Sequence, residues 1–544
     1  NSSGGVFTFK VDSDSLREFV TFNGSNYKVP TYLKRVQYQN LHALEAADYL
    51  IVTHPNFMSQ ANRLANLHKN NGLSVHVVTS EQVYNEFSGG TQDPTAIKFF
   101  AKMFFDRGIS NPTKRPKYLL LFGDGTYDPL NRVENNNYMV PVYETVNSEN
   151  YTASLVSDDF FGLLDDNEAF DNGDDMDIAV GRFVATTTSH ARILVDKVEH
   201  YMKNGSSLYA SSNLICGEDG YISTHGDWRL KYTAIADDEE NDYFITKDFE
   251  PITTVVEANY PEMNVKKIYS DAYVQITTAG GERYPEVNAE INRSIENGSL
   301  VTCYVGHGGS KGAAQERIMT IGDVEKYENI DKLTLFVSAT CEFARIDDNR
   351  MVSIGELMAL NDVGGAIALM TTTRAVTFGT NSVTTAAFFK NVFKRNSDNE
   401  PRTFGDIIVE SKNTSGGGSD RRSFMLIGDP ALKIALPYEK VVLDTVNNLD
   451  VSVATDTLRA LSKVKMSGHI EDQFGNTLNG FNGVIQPSIY DKPADRATLG
   501  QDAGSNVIDF KQQDNVLFKG KATVTNGYFD FEFIVPKDID YSYG

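Results

Sequence analysis

From Asp48 to Leu436 the chain alternates short, almost wholly apolar runs with longer stretches of helical periodicity. Tyr49–Val52, Leu73–Val78, Tyr118–Phe122, Asn213–Cys216, Val265–Tyr269, Ser299–Val305, Leu333–Ser338 and Gly365–Met370 read as strands covered by helices, and Asp177–Val180 with Gly181-Arg182-Phe183 leads into a helix. Helices are expected at about 59–70, after Asp93-Pro94, over Thr188–Tyr201, and in a long acidic stretch before Val265. Further helices are expected over Pro285–Asn297, Met351–Leu360, Thr380–Phe393 and Thr403–Ser411. Asp93-Pro94 shows the local logic: a capping carboxylate, a first-turn proline, then Ile97, Phe100, Ala101 and Phe104 on one face. A strand that is apolar on both faces must lie between helices, and parallel neighbours need a helical crossover. The fold class is therefore α/β, with open, mostly parallel sheets and flanking helices.

Arg422–Leu426 and Leu432–Leu436 read as two more strands around Gly428-Asp429-Pro430. Beyond Pro437 the helical period disappears. Val451–Val453, Val464–Ile470, Gly483–Ile489, Ala522–Val524 and Phe529–Val535 alternate with Asn/Gly/Asp turns, the pattern of a β-sandwich. Residues 1–45 alternate weakly and read as the end of an upstream β-rich region. The expected organisation is that region, α/β subdomains over 46–205 and 206–436, and a β-sandwich over 437–544. The chain starts at Asn1 without Met and stops within a strand pattern at Gly544, as a processed chain or a fragment would.

Two of the apolar runs end in reactive side chains. Ser299–Val305 leads into Gly306-His307-Gly308-Gly309, and Leu333–Ser338 into Ala339-Thr340-Cys341-Glu342. If these strands are parallel neighbours, His307 and Cys341 emerge together at the carboxyl edge, where open α/β sheets bind ligands. A thiol with an ordinary pKa of about 8.5 is mostly protonated at neutral pH, so a nucleophilic cysteine needs a base. The imidazole can take that proton and return it to a leaving amine. The glycines around His307 would let substrate approach the backbone, and the Gly308 and Cys341 amides would hold an oxyanion. This reading is a cysteine peptidase or acyl transferase. The competing reading is a core cysteine and a histidine in an ordinary glycine turn.

Composition removes other classes. With 50 basic and 73 acidic side chains the net charge is −23, which argues against nucleic-acid or anionic-membrane partners. Three cysteines form neither a disulfide framework nor a metal-ligand spacing, and Cys216 and Cys303 sit within apolar runs. No apolar run reaches the ~18 residues of a membrane span. The acidic stretch 158–177 fails the calcium-loop pattern because Phe170 occupies a ligand position, so it reads as a solvated turn.

The motifs Tyr304-Val305-Gly306-His307-Gly308, Ser338-Ala339-Thr340-Cys341-Glu342 and Ile427-Gly428-Asp429-Pro430-Ala431-Leu432 resemble those of the gingipain-type (C25) cysteine peptidases. Tyr118–Asp124, Ile178–Phe183 and Asp196–Tyr201 are similar as well, so the resemblance spans about 45–436. It implies a caspase-like core of two open-sheet subdomains followed by an immunoglobulin-like sandwich. It also implies Cys341 as nucleophile, His307 as base and acid, and Glu218 as the carboxylate that orients the imidazole, with Asp219 as fallback. Arg374, together with Thr373, would line the substrate pocket. A carboxylate for a basic substrate side chain does not align securely around His225–Arg229. No cofactor is required; a structural calcium ion is compatible with the family, its ligands unassigned. Glu81–Gly90 and the doubled glycine after His307 resemble the sortase branch of the family, which serves type IX secretion. That branch implies a place on the outer-membrane surface, with other type IX secretion components as partners. Its substrates would be cargo with a C-terminal signal domain, and its acceptor anionic lipopolysaccharide. A general endopeptidase and an inactive surface scaffold remain alternatives.

Overall fold

The computed structural model describes residues 2–3, 6–12, 18–20, 24, 27, 29–32, 34–134, 136, 138–146, 154–170, 173–205, 226–416, 419–453 and 458–539. It divides into two compact units, residues 1–40 and 41–544. In the first, Ser2–Ser3 pairs antiparallel with Val6–Phe7.

In the second unit, ten of the strands join in one sheet. They are β1 (Tyr49–Thr53), β2 (Val75–Thr79), β3 (Tyr118–Phe122), β4 (Ala179–Phe183), β5 (Lys231–Ala236), β6 (Asn264–Tyr269), β7 (Val301–Val305), β8 (Thr334–Ala339), β9 (Ala366–Thr372) and β10 (Phe424–Ile427). Their spatial order is β6-β5-β7-β8-β9-β10-β4-β3-β1-β2. β10 runs antiparallel to β9, and a bridge between Ile427 and Arg182 ties it to β4. The remaining neighbours are parallel. The halves expected on either side of residue 205 thus share one sheet. Every residue of β1, β3, β4, β7, β8 and β9 is buried, which is why their sequences show no alternation.

Several sequence expectations change. β5 falls where an acidic helix was expected; the helical stretch that follows begins within the acidic run at Glu239 and is interrupted by left-handed residues at Glu240, Asn241 and Asp242. Leu432–Leu436 forms no ladder; Lys433 makes one isolated bridge and the Ala435 N–H donates to the Tyr201 hydroxyl. Asn213–Cys216, Glu218 and Asp219 lie outside the described residues. In the C-terminal region a six-stranded antiparallel sheet runs Leu449–Asp450, Lys440–Val446, Lys463–Glu471, Tyr528–Ile534, Ala522–Thr525, Gly483–Ile485. Two ribbons, Ser488–Tyr490 with Val516–Lys519 and Ala494–Ala497 with Asp509–Gln512, accompany it. Val451–Val453 is a turn, and Gly483–Ile489 breaks into two strands at Pro487, which has no N–H for a ladder.

Asp158 and Asp159 are not in a solvated turn. Both are buried, Asp158 against Arg182 and Asp159 against Lys412 and Arg422. Arg182 is fully buried, and all five of its N–H donors are used. Nε and Nη2 reach Asp158 at 2.7 Å, Nη1 reaches Gly123 O and Val140 O, and Nη2 also reaches Pro141 O. Arg182→Met would leave the Asp158 carboxylate buried and unpaired. We expect a loss of about 3–5 kcal/mol in thermal or denaturant unfolding, largely recovered in Arg182→Met/Asp158→Leu. Equal stability of Arg182→Met and wild type would contradict this assignment.

Candidate active site

β7 and β8 pair in parallel register, Val301 opposite Leu335 through Val305 opposite Ala339. His307 and Cys341 each lie two residues past the last pair, so both leave the carboxyl edge at the same height. The segment after β9 touches both. The Cys341 Sγ lies 3.9 Å from the Val376 carbonyl oxygen, and the His307 ring meets Phe378 edge-on at 5.9 Å. Phe244 meets the same imidazole edge-on at 5.6 Å, so two aromatic rings pack against it.

The glycines beside His307 serve packing. A Cβ at Gly306 would overlap the Asp237 side chain, and one at Gly308 would come within 2.7 Å of Thr340 Oγ1, next to the thiol. The histidine loop therefore lies flush against both the β5 exit and the cysteine loop. Gly309 meets nothing within 4 Å and is the position open to solvent or substrate.

The cysteine loop is tied to the end of β9. The Glu342 N–H donates to Arg374 O, the Ala344 N–H to Thr372 O, and the Thr372 hydroxyl to Thr340 O. Glu342 adopts φ 52°, a left-handed conformation costly for a non-glycine residue, directly after the thiol. Arg374 and Thr373, expected at the substrate pocket, make interior contacts. Arg374 is buried, its fork on Asp347 at 2.8 and 2.5 Å, and the fully buried Thr373 donates to Val156 O. They brace the loop from behind. Within the His225–Arg229 stretch, Asp227 is engaged by Lys231 and Lys519.

With Glu218 outside the described residues, the carboxylates next to the imidazole come from the stretch after β5. Glu240 Oε1 lies 3.3 Å from His307 Nε2. Asp237, fully buried, accepts the His307 backbone N–H at 2.8 Å. The sequence signal for both was present: four consecutive acidic residues, Asp237 to Glu240, directly after a run rich in β-formers. It was masked because the same composition suits an acidic helix. Cys303 is fully buried in β7, as expected of a core thiol.

Two carboxylate clusters have the donor set of a hard cation. Asp165, Glu168 and Asp177 form one, and Asp237, Asp238 and Glu316 the other, each with oxygens within 4.8 Å of one another. In the first, oxygens accept backbone N–H groups of Leu164 and Asp165. In the second, all three residues are buried, and Asp238 Oδ1 and Glu316 Oε2 have no hydrogen-bonding partner among the described residues. Burial pushes the Asp238 carboxyl up to about 9 and that of Glu316 to about 7. The second cluster therefore fits a cation better than it fits three bare charges.

The profile of peptidase family C25 matches residues 42–435, and the chain belongs to that family. Among solved structures, the Arg-specific cysteine proteinase gingipain R (RgpB) aligns with TM-score 0.53 and 15% identity, over 92% of this chain and 94% of that one. The Porphyromonas gingivalis RgpB complex of pro- and mature domains aligns with TM-score 0.52 and 15% identity, over 90% and 93%. At that identity the likeness concerns the fold. Dimeric latent PorU from Porphyromonas gingivalis aligns with TM-score 0.44 and 25% identity over 93% of this chain, which spans only 41% of PorU. A search of curated protein sequences finds no match.

Burial pushes the Cys341 thiol up, and the neighbouring Glu342 carboxylate adds to the effect; the Val376 contact opposes it. Because burial favours the neutral form, thiolate appears at higher pH than for a free thiol. Alkylation of Cys341 by iodoacetamide should still be rising above pH 9, and a plateau by pH 7.5 would contradict this.

Proposed function

We propose that the chain is a cysteine endopeptidase in which Cys341 attacks a peptide carbonyl and His307 moves the proton. The observation that supports this is the in-register pairing of β7 with β8, whose carboxyl ends lead into His307 and Cys341 at the same level of the sheet edge. His307 takes the thiol proton as attack occurs. With Nε2 facing Glu240, Nδ1 is the nitrogen left for it. The carbonyl oxygen takes the negative charge against the Gly308 and Cys341 amides, and His307 returns the proton to the departing amine. The thioester that remains is opened by water or by an amine, so hydrolysis and transpeptidation share the first half-reaction.

The substrate we assign is a secreted protein carrying a C-terminal signal domain of the type IX system, cut on the outer-membrane surface beside other secretion components. Anionic lipopolysaccharide is the acceptor when the acyl group is transferred. Support comes from the sequence resemblance at Glu81–Gly90 and Gly308–Gly309. No helix among the described residues is long and apolar enough to cross a membrane. Mass spectrometry of such a cargo incubated with the chain tests this assignment. Wild type should cut at one junction, Cys341→Ala should not, and His307→Ala should be slower by about 10²-fold or more. A glycolipid-sized mass on the new carboxyl end would show transfer. An intact cargo alongside cleavage of unrelated denatured proteins would instead favour a general endopeptidase, and no cleavage with no probe labelling of Cys341 a scaffold.

We also propose that Asp237, Asp238 and Glu316 hold a structural calcium ion, which would supply charge neutralisation behind the histidine loop. Chelation should lower the melting temperature by a few degrees, calcium should restore it, and Asp238→Asn/Glu316→Gln should lack the response. Identical melting of wild type with and without chelator would rule this ion out.

A further inference from the structure

The acidic stretch after β5 contains an unusual backbone. Glu240, Asn241 and Asp242 are consecutive non-glycine residues with φ of 60°, 55° and 62°. Left-handed backbone is costly for a non-glycine residue, so such a turn persists only where its surroundings impose it. This turn aims Glu240 at the His307 imidazole.

Its restraint comes from the C-terminal β-region. The loop between the strands Ala494–Ala497 and Asp509–Gln512 reaches back over the catalytic sheet. The Leu499 N–H donates to Asp271 O at 2.7 Å, and the Gly500 and Gln501 N–H groups donate to the Asp271 carboxylate at 2.6 and 3.0 Å. Asp271 is fully buried beyond the end of β6, so the loop is anchored at a fixed point. From there, the Asn506 N–H donates to Asp242 Oδ2 at 2.7 Å, holding the last residue of the left-handed turn. Gly504 packs so closely on Asn241 that a Cβ would overlap its side-chain oxygen. Farther on, the Lys267 N–H of β6 donates to Gln512 Oε1 at 3.0 Å, and Phe510 stacks obliquely on Tyr269 at 4.9 Å.

We infer that the loop Leu499–Asn506 is a positioning element for the proposed catalytic histidine, acting through the Asn506–Asp242 hydrogen bond on the turn that carries Glu240. The inference rests on the reading of His307 as the base. Asp242 and Asn506 are positioning residues: neither touches the imidazole. The β-region is then part of the active-site apparatus, and the chemistry is sensitive to how it is seated.

Asp242 provides the test, because two substitutions separate anchoring from backbone strain. Asp242→Gly is at ease with positive φ but loses the acceptor; Asp242→Asn keeps an acceptor oxygen. The rate of Cys341 acylation by an activated ester such as p-nitrophenyl acetate reads the step without the natural substrate. Asp242→Gly should acylate on the order of 10-fold more slowly, with little change in ester KM, while Asp242→Asn stays within about twofold of wild type. In a His307→Ala background Asp242→Gly should have no further effect, since the loop acts through that ring. Wild-type rates in Asp242→Gly would overturn the inference, as would an equal loss in the His307→Ala background or a loss in Asp242→Asn matching that in Asp242→Gly. If the wild type does not acylate, or acylates no faster than His307→Ala, the peptidase reading fails and takes this inference with it.

Discussion

The parallel ladder between β7 and β8 is the constraint on which the site depends. Hydrogen bonding in register leaves no freedom in where the two strands end relative to each other, so His307 and Cys341 are placed by backbone geometry before any side-chain contact acts. The loops beyond the strand ends refine that placement. Thr340 lies against Gly308, Asp237 lies against Gly306, and the Val376–Phe378 segment touches both reactive side chains. A shift of one residue in this ladder would move one loop along the strand axis by roughly 3.3 Å and separate the pair.

Around this ladder the protein places charge where a core would ordinarily exclude it. Arg182 on Asp158, Lys412 and Arg422 on Asp159, and Arg374 on Asp347 are buried ion pairs near the carboxyl edge and the β4–β10 junction. Asp429 joins the halves from the other end, accepting from the Tyr49 hydroxyl at 2.8 Å and lying 2.5 Å from His68 Nε2. Desolvating these charges costs several kcal/mol each, and their partners do little more than offset it. Their contribution is orientation. A guanidinium with all donors engaged, such as that of Arg182, ties the stretch after β3 and the Asp158 segment to β4, which packing of aliphatic side chains would leave free to slide.

The C-terminal β-region enters the same network. Its loop meets Asp271 and Asp242, and its Gln512 and Phe510 run along the edge strand β6, covering an edge that would otherwise be open. The sheet edge, the left-handed turn and the imidazole are therefore mechanically continuous.

The sequence by itself determined the α/β class, the position of most strands, the β-rich C-terminal region and the glycine-flanked histidine and the cysteine at the ends of two neighbouring strands. Apolar runs without alternation and glycine-flanked reactive residues are local signals, readable without knowing what lies opposite. Local pattern was insufficient where composition suits two structures: Lys231–Ala236 with its four following acids, Leu432–Leu436, and the buried pair Asp158–Asp159. Whether an acidic residue is solvated, paired in the core or aimed at an imidazole depends on residues far away in the chain. The joining of two sheet halves through β10, the commitment of Arg374 to Asp347, and the hold of Asn506 on Asp242 were decided only by tertiary structure. Each is a contact between segments whose separation along the chain leaves no trace in periodicity or spacing.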